Sequence, residues 1–115
     1  MVCDGRVGLH EVGNTLLALC GCEPIDTGAD SRSFAALLRR PQDTAAWQEG
    51  YAEYFGGRML LTQRVVWDGD WKLAFNGFDE DELYDLAADP AERVNRIADP
   101  GCADVVHRLT RRMWQ

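Results

Sequence analysis

The sequence predicts an α+β fold, a small antiparallel β-sheet of about four strands packed against a C-terminal α-helix, and three observations carry that prediction. Between Tyr51 and Phe75 apolar residues alternate with polar ones, the period of a half-buried strand. Asp68-Gly69 interrupts the alternation with a tight hairpin pair. Beyond Asp99-Pro100, residues Cys102, Val105, Val106, Leu109 and Met113 line one face of a helix. A helix laid across a small antiparallel sheet buries both apolar surfaces at once.

The elements follow in order. Leu9, Val12, Leu16, Leu19 and Cys20 fall at helical spacing, and Gly21 is a natural stop. Residues 23–33, with Pro24, Gly28 and several Asp and Ser, read as a surface loop. Phe34 to Arg39 forms a short helix that ends before Pro41, because the residue before a proline is pushed out of the helical region. Gly56-Gly57 marks a first turn. In the next strand Met59, Leu61, Val65 and Trp67 are expected on one side, with Arg58, Thr62 and Arg64 on the other. Trp71, Leu73 and Phe75 then alternate with Lys72 and Ala74. After the acidic loop Asp79–Glu82, Leu83 to Leu86 adds a short fourth strand, with Tyr84 and Leu86 expected in the core. Asp99 caps the final helix and Pro100 suits its first position.

Length and composition bound the rest. A chain of 115 residues holds one modest core, and an apolar fraction of 46% with 27% charged residues is that of a globular protein. A net charge of -7 argues against a binder of nucleic-acid phosphates. Arg108, Arg111 and Arg112 sit where a helix end favours cations. No apolar run reaches the ~18 residues of a membrane span, and no signal peptide is evident, so a cytoplasmic location is expected if the chain is complete. Cys3, Cys20, Cys22 and Cys102 show neither zinc-site nor disulfide-framework spacing, and idle thiols are the expectation. A disulfide stays open for an exported protein.

The most specific stretch is Glu82-Leu83-Tyr84-Asp85-Leu86, followed by Asp89-Pro90, Glu92 and Asn95. It resembles the closing signature of the type I sulfatases, of the alkaline-phosphatase-like superfamily. Three further landmarks occur in the family's order. Val7 to Gly21 resembles a Val-Ser-Leu-Val-Asp-Leu-x-Pro-Thr-Leu-Leu-x-Leu-Ala-Gly stretch, with Glu11 in place of Asp and Asn14 in place of Pro. Asp30-Ser31-Arg32-Ser33-Phe34 with Leu37-Leu38-Arg39 resembles Asp-Gly-x-Ser-Leu-x-x-Leu-Leu-Arg, with Ser31 in place of Gly. Arg64, Trp71-Lys72-Leu73 and Asn76 resemble the run that precedes the signature.

The resemblance implies the last part of a sulfatase: residues 1–45 the tail of its α/β domain, contributing an N-terminal helix, and residues 46–115 its C-terminal subdomain. In that family a Cys or Ser in Cys-x-Pro-x-Arg becomes the catalytic formylglycine, and Asp and Asn side chains hold a divalent cation, usually calcium. Those motifs lie upstream of the stretch matched here. No catalytic, cofactor-binding or metal-binding residue is therefore assigned, no cofactor is expected in this chain, and the expectation is that it is inactive alone. The alternatives are the non-catalytic chain of a split sulfatase, or a stand-alone interaction module reusing the fold. Expected partners are a catalytic sulfatase domain or a second copy, through the N-terminal helix, with neither nucleic acid nor membrane.

Local candidates read structurally. Cys22-Glu23-Pro24-Ile25-Asp26 reproduces Cys-x-Pro but has Asp26 where the modification needs Arg. Asp68 with Asp70, and Asp79-Glu80-Asp81-Glu82, lack the ligand spacing of a calcium loop. His10 and His107 have no nucleophile at a recognisable spacing. Lys72 and Arg64 are cations on a sheet, expected to face solvent or pair with nearby carboxylates. Glu92 and Asn95 are expected to fasten the following loop through hydrogen bonds to backbone.

Overall fold

The computed structural model describes residues 3–25, 31–58 and 61–115. The chain divides into two compact units, Met1–Gln48 and Glu49–Gln115.

In the first unit a 3-10 turn over Leu9–Glu11 leads into helix α1, Val12–Leu19. Gly21, at φ 71°, ends it. The Cys22 N–H donates to the Leu17 carbonyl (2.9 Å) and the Gly21 N–H to that of Ala18 (3.3 Å), the paired closure that a left-handed glycine permits. The loop expected over residues 23–33 lies partly outside the described residues, and with it Asp26 and Asp30. Helix α2 covers Ala35–Arg39. The Trp47 ring is buried, with Phe34 edge-on at 6.3 Å and the Arg32 guanidinium 3.8 Å above it. A Cβ at Gly5 would lie 2.8 Å from Leu37 and 3.2 Å from Trp47, so the backbone passes where a side chain does not fit.

The second unit is a four-stranded antiparallel meander of β1 Glu49–Tyr54, β2 Gln63–Asp68, β3 Trp71–Asn76 and β4 Glu82–Asp85, in sequence order. Gly69 and Asp70 form the two-residue hairpin between Asp68 and Trp71, and Gly69 takes the positive φ that such a turn needs at its first position. The Asp99 carboxylate accepts from the Gly101 N–H at 2.9 Å, and a 3-10 turn over Pro100–Cys102 opens helix α3, Ala103–Met113. Val66, Leu73 and Leu83 meet Cys102, Leu109 and Met113 in one core, edged by Trp71, Phe75, Ile97, Val105 and Val106.

Two side-chain orientations differ from the sequence reading. Directly paired residues of neighbouring strands share a face, and Val66 pairs with Leu73, which pairs with Leu83. That row faces α3, so Val66 rather than Val65 and Trp67 points into the core. With Val65-Val66-Trp67 apolar throughout, periodicity cannot choose the face; the pairing on Leu73 does. Met59, used in the sequence reading, lies outside the described residues, and Leu61 is exposed outside β2. In β4 Leu83 is the fully buried residue and Tyr84 lies on the opposite face, its hydroxyl donating to Glu82 at 3.2 Å. An aliphatic side chain is buried without a partner, whereas a phenol keeps its polar end satisfied.

Candidate functional site

The signature stretch builds a hydrogen-bonded polar cluster in the second unit. Asp85 accepts from the N–H groups of Ala87 and Ala88, both at 3.1 Å, and so turns the chain out of β4. The Asp89 carboxylate accepts from Arg93 (2.7 Å) and Val94 (2.9 Å). Asn95 then ties the loop to the sheet. Its carbonyl oxygen accepts from the N–H groups of Leu83 and Ile97, both at 3.0 Å, and its amide donates to the Asp81 carbonyl at 3.0 Å. The Arg96 N–H donates to the Leu83 carbonyl at 2.8 Å, which occupies the outer edge of β4.

Glu92 departs from the sequence expectation. It adopts φ 53°, a left-handed backbone uncommon for a residue with a side chain, and its carboxylate meets Lys72 rather than a backbone group. The Lys72 ammonium lies 5.9 Å from the Trp67 ring and 5.8 Å from the Tyr84 ring, on the face of the sheet away from α3. Both distances are at the outer limit of a cation–π contact, and the ion pair itself is partly exposed. Burial, with the Glu82 carboxylate second, raises the Tyr84 phenol above its ordinary value.

Arg64 occupies the other face. It pairs with Glu53 at 2.8 Å, its guanidinium 4.1 Å from the Trp114 ring, which itself sits edge-on to Phe75 at 5.5 Å. Asp68 receives Arg108 and, at 3.1 Å, Arg112, and Arg112 also reaches Glu49. The basic side of α3 is thus engaged in ion pairs with β1 and β2 as well as sitting near a helix end. Lys72 and Arg64 both carry carboxylate partners, as the sequence suggested, but on opposite faces. Asp81 accepts from the Asn76 N–H at 2.9 Å, and Asp79 from that of Glu80 at 2.8 Å, so the acidic loop is a turn fastened to its own backbone.

The thiols are not gathered. Cys3, Cys20 and Cys22 are exposed and Cys102 is buried; burial, followed by the nearby Asp99 carboxylate, raises the Cys102 pKa. His10 and His107 are exposed. Among the described residues no three His, Cys, Asp or Glu side chains gather into a group that could hold a metal ion. No helix of the described residues is long and apolar enough to cross a membrane.

Helix α1 has a polar inner face that the apolar spacing alone did not give. The buried side chains of α1 and of the turn before it are polar: Glu11 5% exposed, Asn14 6% and Thr15 2%. Leu9 in that turn is 92% exposed, and Leu16 and Leu19 of α1 are 57% and 48% exposed. The polar face is satisfied from within the unit. Asn14 accepts from the Ile25 N–H (2.9 Å) and donates to the Ser31 carbonyl (3.1 Å), and Thr15 accepts from the Phe34 N–H (2.9 Å). Glu11 receives Arg32 at 3.1 Å and the Gly8 N–H at 2.8 Å. The signal was present in the sequence, since Glu11, Asn14 and Thr15 share a helical face opposite Leu9, Val12, Leu16 and Leu19.

Comparison with known proteins decides the family. The family described as N-sulphoglucosamine sulphohydrolase, C-terminal, matches residues 6–115. The chain belongs to that family. This sulfatase C-terminal domain is similar to a structure titled as BT4656 in complex with its substrate D-glucosamine-2-N,6-O-disulfate, with a TM-score of 0.73 and 24% identity over 90% of this chain and 22% of that one. It is also similar to BT1596, a 2-O GAG sulfatase, with a TM-score of 0.66 and 25% identity over 82% of this chain and 21% of that one. An uncharacterized protein of Haemophilus influenzae is 29% identical over 98 residues, 84% of this chain. The chain spans 49% of that relative's length.

Proposed function

We propose that this sulfatase C-terminal domain is a non-catalytic part of a sulfatase, inactive by itself, that seats the apolar face of α1 on the catalytic portion. The observation that carries the reading is the inverted burial of α1. A soluble helix that hides Glu11, Asn14 and Thr15 while exposing Leu9, Leu16 and Leu19 leaves apolar area in water that a partner surface would remove. The likeness to solved sulfatases, of whose lengths this chain covers 22% and 21%, supports a catalytic portion as that partner. Calcium and the formylglycine belong, on this reading, to the catalytic portion. Cys22 has the wrong context for that modification and lies in an exposed turn.

A second reading is a stand-alone interaction module. It is favoured by the apolar core between α3 and the sheet, which closes within Glu49–Gln115. The α1 face then binds a second copy or another protein. Assay of the purified chain on a chromogenic aryl sulfate separates catalytic from non-catalytic readings. The expected result is no hydrolysis above buffer; a rate that disappears in Cys22→Ala overturns the proposal.

A further inference from the structure

The two edges of the sheet are finished differently. At β4 the Leu83 N–H and carbonyl are both taken, by the Asn95 side chain and the Arg96 N–H. At β1, no backbone hydrogen bond from a described residue outside β2 reaches Gly50–Tyr54. An edge strand left open is ordinarily guarded by lysine, proline, a bulge or an unpaired charge. Strand β1, Glu-Gly-Tyr-Ala-Glu-Tyr, contains neither lysine nor proline, and it pairs with β2 in unbroken register. Its only charges are Glu49 and Glu53, and both are engaged within the chain, by Arg112 and Arg64. The guard is chemically present and electrostatically cancelled.

Along this edge stand Tyr51, Tyr54 and Phe55, all exposed. We propose that β1 pairs with β1 of a second copy, antiparallel about a two-fold axis at Ala52, so that two four-stranded sheets join into one of eight. The register follows from the two-fold and from the contacts that each centre would bring together. A two-fold perpendicular to the sheet must place residues of the same face opposite each other, which requires one residue to oppose its own copy. Centring on Ala52 sets Gly50 against Tyr54 of the second copy and Tyr51 against Glu53.

Both contacts are complementary. This register lays the Tyr54 ring across from Gly50, the cross-strand arrangement by which an aromatic compensates an edge glycine. The Tyr51 hydroxyl already donates to Glu53 of its own strand, and directly paired side chains put the same two groups within reach across the interface. Burial, followed by the Glu53 carboxylate, raises the Tyr51 phenol and keeps it a donor. With Glu53 already countered by Arg64, pairing brings no bare like charges together. A six-residue strand with flanking rings is smaller than a standard interface of about 800 Å² per partner, so the dimer is a weak one.

This inference does not rest on the α1 reading, and its test separates the two surfaces. Sedimentation equilibrium of the full chain should show the weight-average mass rising from 12.9 kDa toward twice that value with concentration. Ala52→Lys, which sets two ammonium groups against each other on the two-fold, should hold the mass at the monomer value. Leu16→Lys, on α1, should leave the rise unchanged. As a readout on the unmodified chain, the amide protons of Gly50–Tyr54 should exchange more slowly as concentration increases. A monomer at every concentration, a dimer that survives Ala52→Lys, a dimer lost in Leu16→Lys, or exchange independent of concentration would each overturn the pairing.

Discussion

In Glu49–Gln115 helix α3 buries apolar residues, whereas in Met1–Gln48 helix α1 buries polar ones. Helix α3 turns Leu109 and Met113 onto the sheet and sends Arg108 and Arg112 to carboxylates at its margin. Helix α1 buries Asn14 and Thr15, with Glu11 buried just before it, and leaves Leu16 and Leu19 exposed. The difference lies in what each helix packs against. Facing α3 is an apolar row across three strands, Val66, Leu73 and Leu83. Facing the inner side of α1 are loop segments whose N–H and carbonyl groups need partners, and Asn14 and Thr15 supply them. A buried polar face is stable when every group is paired, and it leaves the apolar face for a surface outside the unit.

The largest effects should come from the apolar core of the second unit. Leu109 and Leu83 are 0% exposed, so Leu109→Ala or Leu83→Ala should cost about 2–5 kcal/mol in denaturant unfolding, enough to threaten the fold. Leu16→Ala, the same deletion on α1, should stay within about 0.5 kcal/mol. Equal losses at Leu109 and Leu16 would erase the contrast between the helices.

Next in size is Asn95→Ala, which removes the partner of the Leu83 and Ile97 N–H groups and should cost about 1–3 kcal/mol. An unchanged melting temperature would show that the signature's closing Asn does not fasten the loop. Smaller still is Lys72→Met, which removes one half of a partly exposed pair with Glu92 and should change stability by about 1 kcal/mol or less. The least perturbing probe is thiol labelling at neutral pH. Cys3, Cys20 and Cys22 should react promptly and Cys102 only on unfolding, because it is buried and its raised pKa keeps it protonated. Prompt reaction of four thiols in the folded chain would place Cys102 outside the core.

Much of the sheet was legible because its punctuation is local. Asp68-Gly69, Gly56-Gly57 and Asp99-Pro100 lie at or beside the places where the chain turns or starts a helix, and the α3 stripe reads directly as core. The facing of β2 was not legible, since three consecutive apolar residues fit either side until the pairing of Val66 on Leu73 selects one. Nor was that of β4, where Leu83 and Tyr84 compete for the core and the phenol's need for a partner decides. Glu92 escaped for a different reason. Its left-handed backbone aims the carboxylate at Lys72, twenty residues away in sequence, and spacing carries no trace of that. At α1 the apolar periodicity correctly gave a helix with one apolar face, but it carried no sign that Asn14 and Thr15 would be buried on the inner side.

The inside-out helix is tested most directly by amide hydrogen exchange across α1 in two neighbouring variants. Thr15→Val keeps the shape but leaves the Phe34 N–H without its acceptor, and it should speed exchange at the Phe34 amide and through α1 by about tenfold to a hundredfold, the kinetic equivalent of a lost buried hydrogen bond. Leu16→Gln, of similar helix propensity, should leave those rates within about twofold. Fast exchange in Leu16→Gln with unchanged rates in Thr15→Val would mean that the leucine face is the one this unit packs, and would contradict the account.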